Sequence, residues 1–144
     1  MKKIFFALAL LVSTASFATS PEVDDQVSKQ FKETFPGAIE TKWYDYETFY
    51  EVVFKNNDIL CRVKYDLRGN IISTRRDYHE KDLSLFIVAK VKEKYAGKKI
   101  FGVTEITSSD GVTYNIVLED DKNWINLNSD ESGNISQVQK LKKA

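Results

Sequence analysis

The sequence is short of the residues that covalent and metal chemistry need. Cys61 is the only cysteine, His79 the only histidine and Met1 the only methionine. A lone cysteine cannot close an internal disulfide, so the fold must hold by packing alone. Transition-metal and thiol chemistry are both starved of ligands and nucleophiles, and no metal or cofactor is expected. Charge of one sign is lacking too: 21 basic side chains face 21 acidic ones. That balance gives no electrostatic reason to expect nucleic acid or an anionic membrane as partner. No nucleophile–base–orienter set, phosphate-cradling glycine loop or zinc signature is present, so catalysis is the least expected role.

What is present begins at the N terminus. Lys2 and Lys3 form a basic n-region, Ile4 to Val12 is an uninterrupted apolar run, and Ser13 to Ala18 is small and mildly polar. Ser16 and Ala18 flank a cut before Thr19 in the pattern of a secretory signal peptide, residues 1–18. The apolar run is too short to span a bilayer of about 30 Å as a helix. The residue directly after the cut is Thr19 and not cysteine, so the anchor of a bacterial lipoprotein is not expected. The expected product is periplasmic or secreted, with no stable membrane insertion after cleavage. Removal of residues 1–18 leaves 126 of 144, with 19 basic against 21 acidic groups. That length suits one compact domain or two small halves sharing a core.

An internal repeat organises this mature region. Val27, Phe31, Phe35, Pro36 and Gly37 match Ile87, Val91, Tyr95, Ala96 and Gly97 at an offset of 60. Tyr50 to Phe54 match Tyr114 to Leu118, and Asp66 to Ile71 match Asp130 to Ile135, both at an offset of 64. The four extra residues are expected in the turn Ser108-Ser109-Asp110-Gly111. The repeats run over 19–80 and 81–144.

Each copy opens with a helix. Ser20-Pro21 offers an N-cap followed by proline, and Val23, Val27, Phe31 and Phe35 make an apolar stripe that Pro36-Gly37 ends. In the second copy Asp82 is the expected cap, Leu83, Ile87, Val91 and Tyr95 carry the stripe, and Gly97 closes it. The apolar period then shortens to two, which predicts strands at 38–46, 49–55, 59–66 and 71–78, then 100–107, 112–119, 123–129 and 134–140. Turn residues such as Asn56-Asn57-Asp58 and Asp66 to Asn70 join them, so consecutive strands are antiparallel. The expected fold is α+β: two tandem helix-plus-four-strand repeats forming an antiparallel sheet with helices on one face.

Alternation assigns the faces. Tyr50, Val52 and Phe54, with Ile59, Cys61, Val63 and Tyr65, are expected to face the helices, as are their matches Tyr114, Ile116, Leu118, Asn123, Ile125, Leu127 and Ser129. Phe49, Glu51, Val53, Leu60, Arg62 and Lys64, with Asn115, Val117, Trp124, Asn126 and Asn128, fall on the opposite face. That outward face mixes aromatic, aliphatic and charged groups.

Phe35-Pro36-Gly37, Trp43, Tyr50 to Phe54 and Tyr65 to Asn70, with Tyr95-Ala96-Gly97, Tyr114 to Leu118 and Asp130 to Ile135, resemble the bacterial exported family called beta-lactamase-inhibitor-like, PepSY-like. The resemblance covers nearly all of the mature region. It departs from the family pattern at Ala96, where proline is expected, and at Ser84, where a Leu-Pro pair usually opens the helix. It implies an antiparallel sheet of about eight strands whose open concave face, in the inhibitor that lends the family its name, grips a partner protein. It carries over no catalytic residues, and fold does not fix function.

Candidate sites follow. Cys61 reads as a small core hydrophobe, because a reactive thiol needs exposure and an electropositive pocket. His79 reads as a surface residue of the linker between copies. Asn128 to Gly133 imitates the start of an EF-hand loop, yet Gln139 stands where the bidentate glutamate belongs, so a hairpin turn is the better reading. The carboxylate pairs Asp24-Asp25 and Asp120-Asp121 suit a helix start and a hairpin. Trp124 faces outward, and with Arg62 and Lys64 it has the composition of an interface hot spot.

Two functions are therefore expected. The first is a non-enzymatic exported binding module that recognises, or inhibits, a partner protein, such as a hydrolase or another envelope protein. Its contacts are Trp124, Arg62, Lys64, Phe49 and Glu51. The alternative is a small-ligand carrier or envelope stress sensor that holds a molecule against an aromatic cluster around Trp43 and Tyr46.

Overall fold

The computed structural model describes residues 23–144. The expected signal peptide and the Ser20-Pro21 cap lie outside the described residues. Helix α1 spans Asp25–Thr34 and begins at a different cap from the one expected: Asp24 accepts the Gln26 backbone N–H at 2.8 Å. Aspartate in that position satisfies an orphan amide and meets the positive end of the helix dipole. Helix α2 spans Leu85–Lys94 and also starts later than expected, with Ser84 at its N-cap. Asp82 belongs instead to a one-turn 3₁₀ segment, Glu80–Asp82.

The described residues also form eight strands: β1 (Ile39–Tyr46), β2 (Phe49–Asn56), β3 (Ile59–Asp66), β4 (Ile71–Tyr78), β5 (Lys99–Ser108), β6 (Gly111–Glu119), β7 (Asn123–Asp130) and β8 (Ile135–Lys142). They form one antiparallel sheet in sequence order, open at β1 and β8. The fold is α+β, as expected. The four extra residues are not gathered in the 108–111 turn. Strand β5 has ten residues against eight in β1, β6 nine against eight in β2, and Asp120-Asp121-Lys122 replaces the two-residue turn Asn57-Asp58.

Turn chemistry sets the register. Asn57 and Asp58 have φ of +50° and +63°, the paired left-handed geometry of a tight hairpin. At the β3–β4 turn Asp66 accepts the backbone N–H groups of Arg68 and Asn70 at 2.9 and 2.8 Å, and Gly69 takes φ +87°. At the β7–β8 turn Asp130 accepts the Asn134 backbone N–H at 2.9 Å, and Gly133 takes φ +79°. The EF-hand-like stretch is thus a turn whose aspartate is occupied by its own backbone.

Residues opposite one another in an antiparallel pair point to the same face. Following the register, Val52–Val63–Thr74–Thr107 and Phe54–Cys61–Arg76–Glu105–Tyr114 lie on one side. Ile116–Leu127 and Leu118–Ile125 continue it across β6 and β7. Both helices cover this side. Val27 and Phe31 of α1 pack on Val52, Phe54, Val63 and Tyr65, with the Phe31 ring edge-on to Phe54 at 5.0 Å. Ile87 and Val91 of α2 pack on Ile100, Val103, Ile116, Leu118, Ile125 and Leu127. Each fully buried side chain of this kind contributes about 1.5–3 kcal/mol.

Among the described residues the interior is two apolar clusters rather than one shared core. Ile59 touches both. A polar seam crosses the sheet near them, where Arg76 donates to Glu105 at 3.1 Å and the Tyr78 hydroxyl donates to the same carboxylate at 2.5 Å. Cys61 sits in the α1 cluster, where burial pushes its thiol pKa up, as a core residue should show.

Candidate interaction face

The side of the sheet away from the helices is built by the alternate residues of every strand. At one level the register gives Lys42–Val53–Arg62–Arg75–Ile106–Thr113. One step along it gives Tyr44–Glu51–Lys64–Ser73–Ser108, and beyond that Tyr46–Phe49–Asp66. In the other direction come Lys55–Leu60–Asp77–Thr104–Asn115, then Gly102–Val117–Asn126, then Glu119–Trp124–Leu141. All five expected contact residues lie on this face.

Four of them form one cluster on β2 and β3. Arg62 Nη1 donates to Glu51 Oε1 at 3.3 Å, and Glu51 keeps only 6% of its surface although it belongs to the open face. Lys64 Nζ stands 5.0 Å from the centre of the Phe49 ring, which stacks on Tyr46 at 4.5 Å. Next to them Arg75 gives Nε and Nη2 to the two oxygens of Asp77, each at 3.0 Å, and Thr104 donates to the same carboxylate at 2.6 Å. Burial alone would raise the Asp77 pKa. The hydrogen bonds from Arg75 and Thr104, helped by the charges of Arg75 and Arg62, outweigh it and hold the group below the usual carboxylate range.

Trp124 is not part of that cluster, which corrects the expectation that it stands near Arg62 and Lys64. Three strands, β4, β5 and β6, separate β3 from β7, and the level of Arg62 meets β7 at Asp130, six residues from Trp124. With strands about 4.8 Å apart and about 3.3 Å per residue, the two side chains are about 19 Å apart across the sheet and about 20 Å along it. The indole is half-buried rather than fully exposed. Phe101 meets it edge-on at 4.8 Å, and Lys143 Nζ sits 4.4 Å from its ring centre while also reaching Glu119 at 3.1 Å. Lys143 and Lys99 hold the Glu119 carboxyl below its ordinary pKa.

The expected aromatic cluster around Trp43 and Tyr46 does not exist as one site. Trp43 pairs with Val52 and turns inward, edge-on to Phe31 at 5.3 Å, while Tyr46 pairs with Phe49 and turns outward. Three residues apart on a strand, they cannot share a face. A concavity of about 610 Å³ does lie elsewhere, at the end of β4, lined by Ile59, Asp77, His79, Phe101, Gly102 and Val117 among others. His79 is exposed there, with Nδ1 3.0 Å from the Phe101 carbonyl oxygen.

Sequence reasoning missed Arg75, Asp77, Phe101 and Lys143. Alternation along β4 could have found the first two. Phe101 could not be placed that way, because the register shifts between Ile100 and Gly102 and breaks the alternation.

No protein-family model matches the chain, and no curated protein matches it in sequence. Solved structures do match its fold. A BLIP-like protein from Bacteroides fragilis superposes with a TM-score of 0.63 at 14% identity, covering 85% of this chain and 87% of that one. A Bacteroides eggerthii protein provisionally placed in the periplasm gives 0.61 at 12% identity, with 85% and 90% covered. A DUF2874 family protein from Bacteroides ovatus gives 0.61 at 18% identity, with 85% and 89% covered. The resemblance read from the sequence, to beta-lactamase-inhibitor-like proteins, therefore holds at the level of fold. Among the described residues no helix is long and apolar enough to cross a membrane.

Proposed function

We propose that this chain is a non-enzymatic, exported binding module that recognises a partner protein through the open face of its sheet. The observation that carries the reading is the make-up of that face. The Tyr46–Phe49 stack stands at one corner, the Phe101–Trp124 pair at the far corner, and the charged groups of Glu51, Arg62, Lys64, Arg75 and Asp77 lie nearer the first. Aromatic and arginine anchors within a polar surround are the composition of a protein interface. Carboxylates that already bind arginines, as Glu51 and Asp77 do, suit recognition better than proton transfer.

The edges of the sheet support use of the face rather than strand addition. The β1–β2 register shifts between Ile39 and Lys42, and Glu40 takes φ +53° there. The β7–β8 register shifts after Asn126, and β8 carries Lys140 and Lys142. Bulges and lysines are how edge strands resist pairing with another chain. Export is supported by the signal-peptide pattern and by the fold shared with a protein provisionally placed in the periplasm. We also read the chain as two tandem copies, 19–80 and 81–144, a reading supported by the matching aspartate-centred turns at Asp66 and Asp130.

The test is affinity capture from envelope extract with the mature protein, residues 19–144, beside its Trp124→Ala and Arg62→Ala variants. A protein held by the parent and lost by folded variants supports the reading. Equal capture by all three would remove these residues from the site.

A second reading, a small-ligand carrier, rests on the concavity at the end of β4. Its volume of about 610 Å³ is in the range of ligand pockets, and nothing lies within 4 Å of where a Gly102 Cβ would sit. Filling it with Gly102→Leu should abolish any ligand-dependent change in Trp124 fluorescence, and a ligand-dependent change that survives the substitution would remove the concavity from consideration.

A further inference from the structure

We infer that the hollow between Arg62, Lys64 and Arg75 receives a carboxylate, so that the partner presents an aspartate- or glutamate-bearing protrusion to this face. The inference rests on the reading of the open face as a protein-binding surface and says which chemistry it selects.

Arg62 and Arg75 stand directly opposite one another on β3 and β4. Like charges in that relation destabilise a strand pair, so packing alone gives no reason to place them there. Lys64 follows two residues after Arg62 on the same face. Together the three cations, with Glu51, Ser73, Thr74 and Ile106, line a hollow of about 290 Å³, room for one acidic side chain.

Internal partners leave these cations under-used. Arg75 is the satisfied one, bound through two nitrogens to Asp77. Arg62 reaches Glu51 through one nitrogen at 3.3 Å, longer than the about 2.7–2.9 Å of a strong charge-assisted bond, and its Nε is buried with no acceptor. Among the described residues no carboxylate lies within 4.0 Å of Lys64 Nζ, which rests over Phe49 instead. Three cations thus face two carboxylates, and a third carboxylate completes the set. A guanidinium beside an ammonium matches the forked oxygens of Asp or Glu. Glu51 and Asp77 already balance two of the three cations, so the cluster has charge left for one carboxylate and not for a polyphosphate backbone. Nucleic acid is therefore the disfavoured occupant.

The probe is a short capped peptide, Tyr-Glu-Leu, titrated into isotope-labelled mature protein while the arginine Nε–Hε and backbone signals are followed by NMR. The Tyr-Gln-Leu analogue and inorganic phosphate serve as controls. The glutamate peptide should move the Arg62 and Arg75 signals saturably, the glutamine peptide should not, and binding should weaken several-fold between about 20 and about 200 mM salt. Lys64→Gln, which breaks no internal ion pair, should weaken binding about two- to fivefold. Glu51→Gln with Arg62→Gln removes a whole pair together and should weaken it further. Equal shifts with the glutamine peptide, equal shifts with phosphate, or no effect of Lys64→Gln would each overturn the carboxylate assignment. If these results fail while partner capture is still lost on Trp124→Ala, the binding reading stands and only the chemistry assigned to the hollow falls.

Discussion

Replacing Trp124 with alanine should cost about 1–2.5 kcal/mol of stability and leave the protein folded. The figure comes from what holds the ring. Its edge-on contact with Phe101 at 4.8 Å is of a kind worth about 0.5–1.5 kcal/mol. The Lys143 ammonium over its face at 4.4 Å adds about 0.5–1 kcal/mol at a site open to water. The ring stands on the open face, outside both apolar clusters, so the larger penalty of a core cavity does not apply. For a chain of this size the loss corresponds to a fall in Tm of about 3–12 °C. Urea unfolding followed by far-ultraviolet circular dichroism measures it, and Trp43, edge-on to Phe31 beneath α1, stays as an independent fluorescent reporter. A Lys143→Ala cycle should return a coupling of about 0.5–1 kcal/mol. A loss above about 4 kcal/mol would mean that the indole is core, and that Trp124→Ala cannot report on binding. A loss under about 0.3 kcal/mol would mean that Phe101 and Lys143 do not hold it.

Three further outcomes follow from the same geometry. Gly133→Ala should destabilise by about 1–3 kcal/mol, since φ is +79° and the new Cβ would stand 3.0 Å from both Phe86 and Lys90, whereas Gly102→Ala, with open space around it, should be neutral or stabilising by urea unfolding. Tyr65→Phe should leave stability equal or raise it by about 1 kcal/mol, because the buried hydroxyl has no partner; in the parent, the same burial pushes the Tyr65 pKa up to about 12, so a spectrophotometric titration that ionises every tyrosine near pH 10 would refute the placement. Hydrogen bonds from the Asn70 and Asn134 side chains, then their backbone amides, hold Asp66 and Asp130 below the ordinary aspartate pKa. A depressed folded-state pKa gives stability that is present above the unfolded value and lost as pH falls through the folded one, so Tm should drop from about pH 5 to about pH 2, and Asp66→Asn with Asp130→Asn should flatten that drop.

Most of the fold was legible because its signals are local. Hairpin turns built on Asn57-Asp58 and on Asp66 to Gly69 fix where strands stop, and the observed strand ends fall within two residues of those read from alternation. Helix starts were less legible because several side chains compete for one role. Asp24 and Ser84 hold the N-cap positions where Ser20 and Asp82 were expected, and only Asp24 caps with its side chain, since the position is set by where the chain turns into the helix and not by residue type alone. Faces were legible for the strands to which alternation was applied. Position within a face was not: a period of two says that Trp124 and Arg62 point the same way, but only the pairing of the five successive strands β3 to β7 says how far apart they lie. The pairing of Trp43 with Tyr46 failed for a simpler reason, the odd spacing between them. The polar seam of Arg76, Glu105 and Tyr78 was invisible, because Arg76 meets Glu105 only through the pairing of β4 with β5, and Tyr78 reaches the same carboxylate from one level further along β4.

The separation of the two ends of the open face bears on what can bind it. A flat sheet would set Arg62 and Trp124 about 27 Å apart, and sheet twist curls that distance without removing it. A standard protein interface covers about 800 Å² on each partner, a patch about 30 Å across, so one footprint reaches both ends only when it is centred between them. An extended peptide would need about eight residues to cover the span and would meet rows of side chains rather than open backbone. The backbone groups such a peptide would pair with lie at the edges, where bulges and lysines oppose it. A folded partner avoids these costs, since its surface arrives already shaped and loses less conformational freedom on docking. An acidic protrusion in the Arg62–Arg75 hollow and an apolar contact on Trp124 would then be two anchors of one rigid body, with the uncharged side chains of Thr104, Asn115 and Asn126 lying between them.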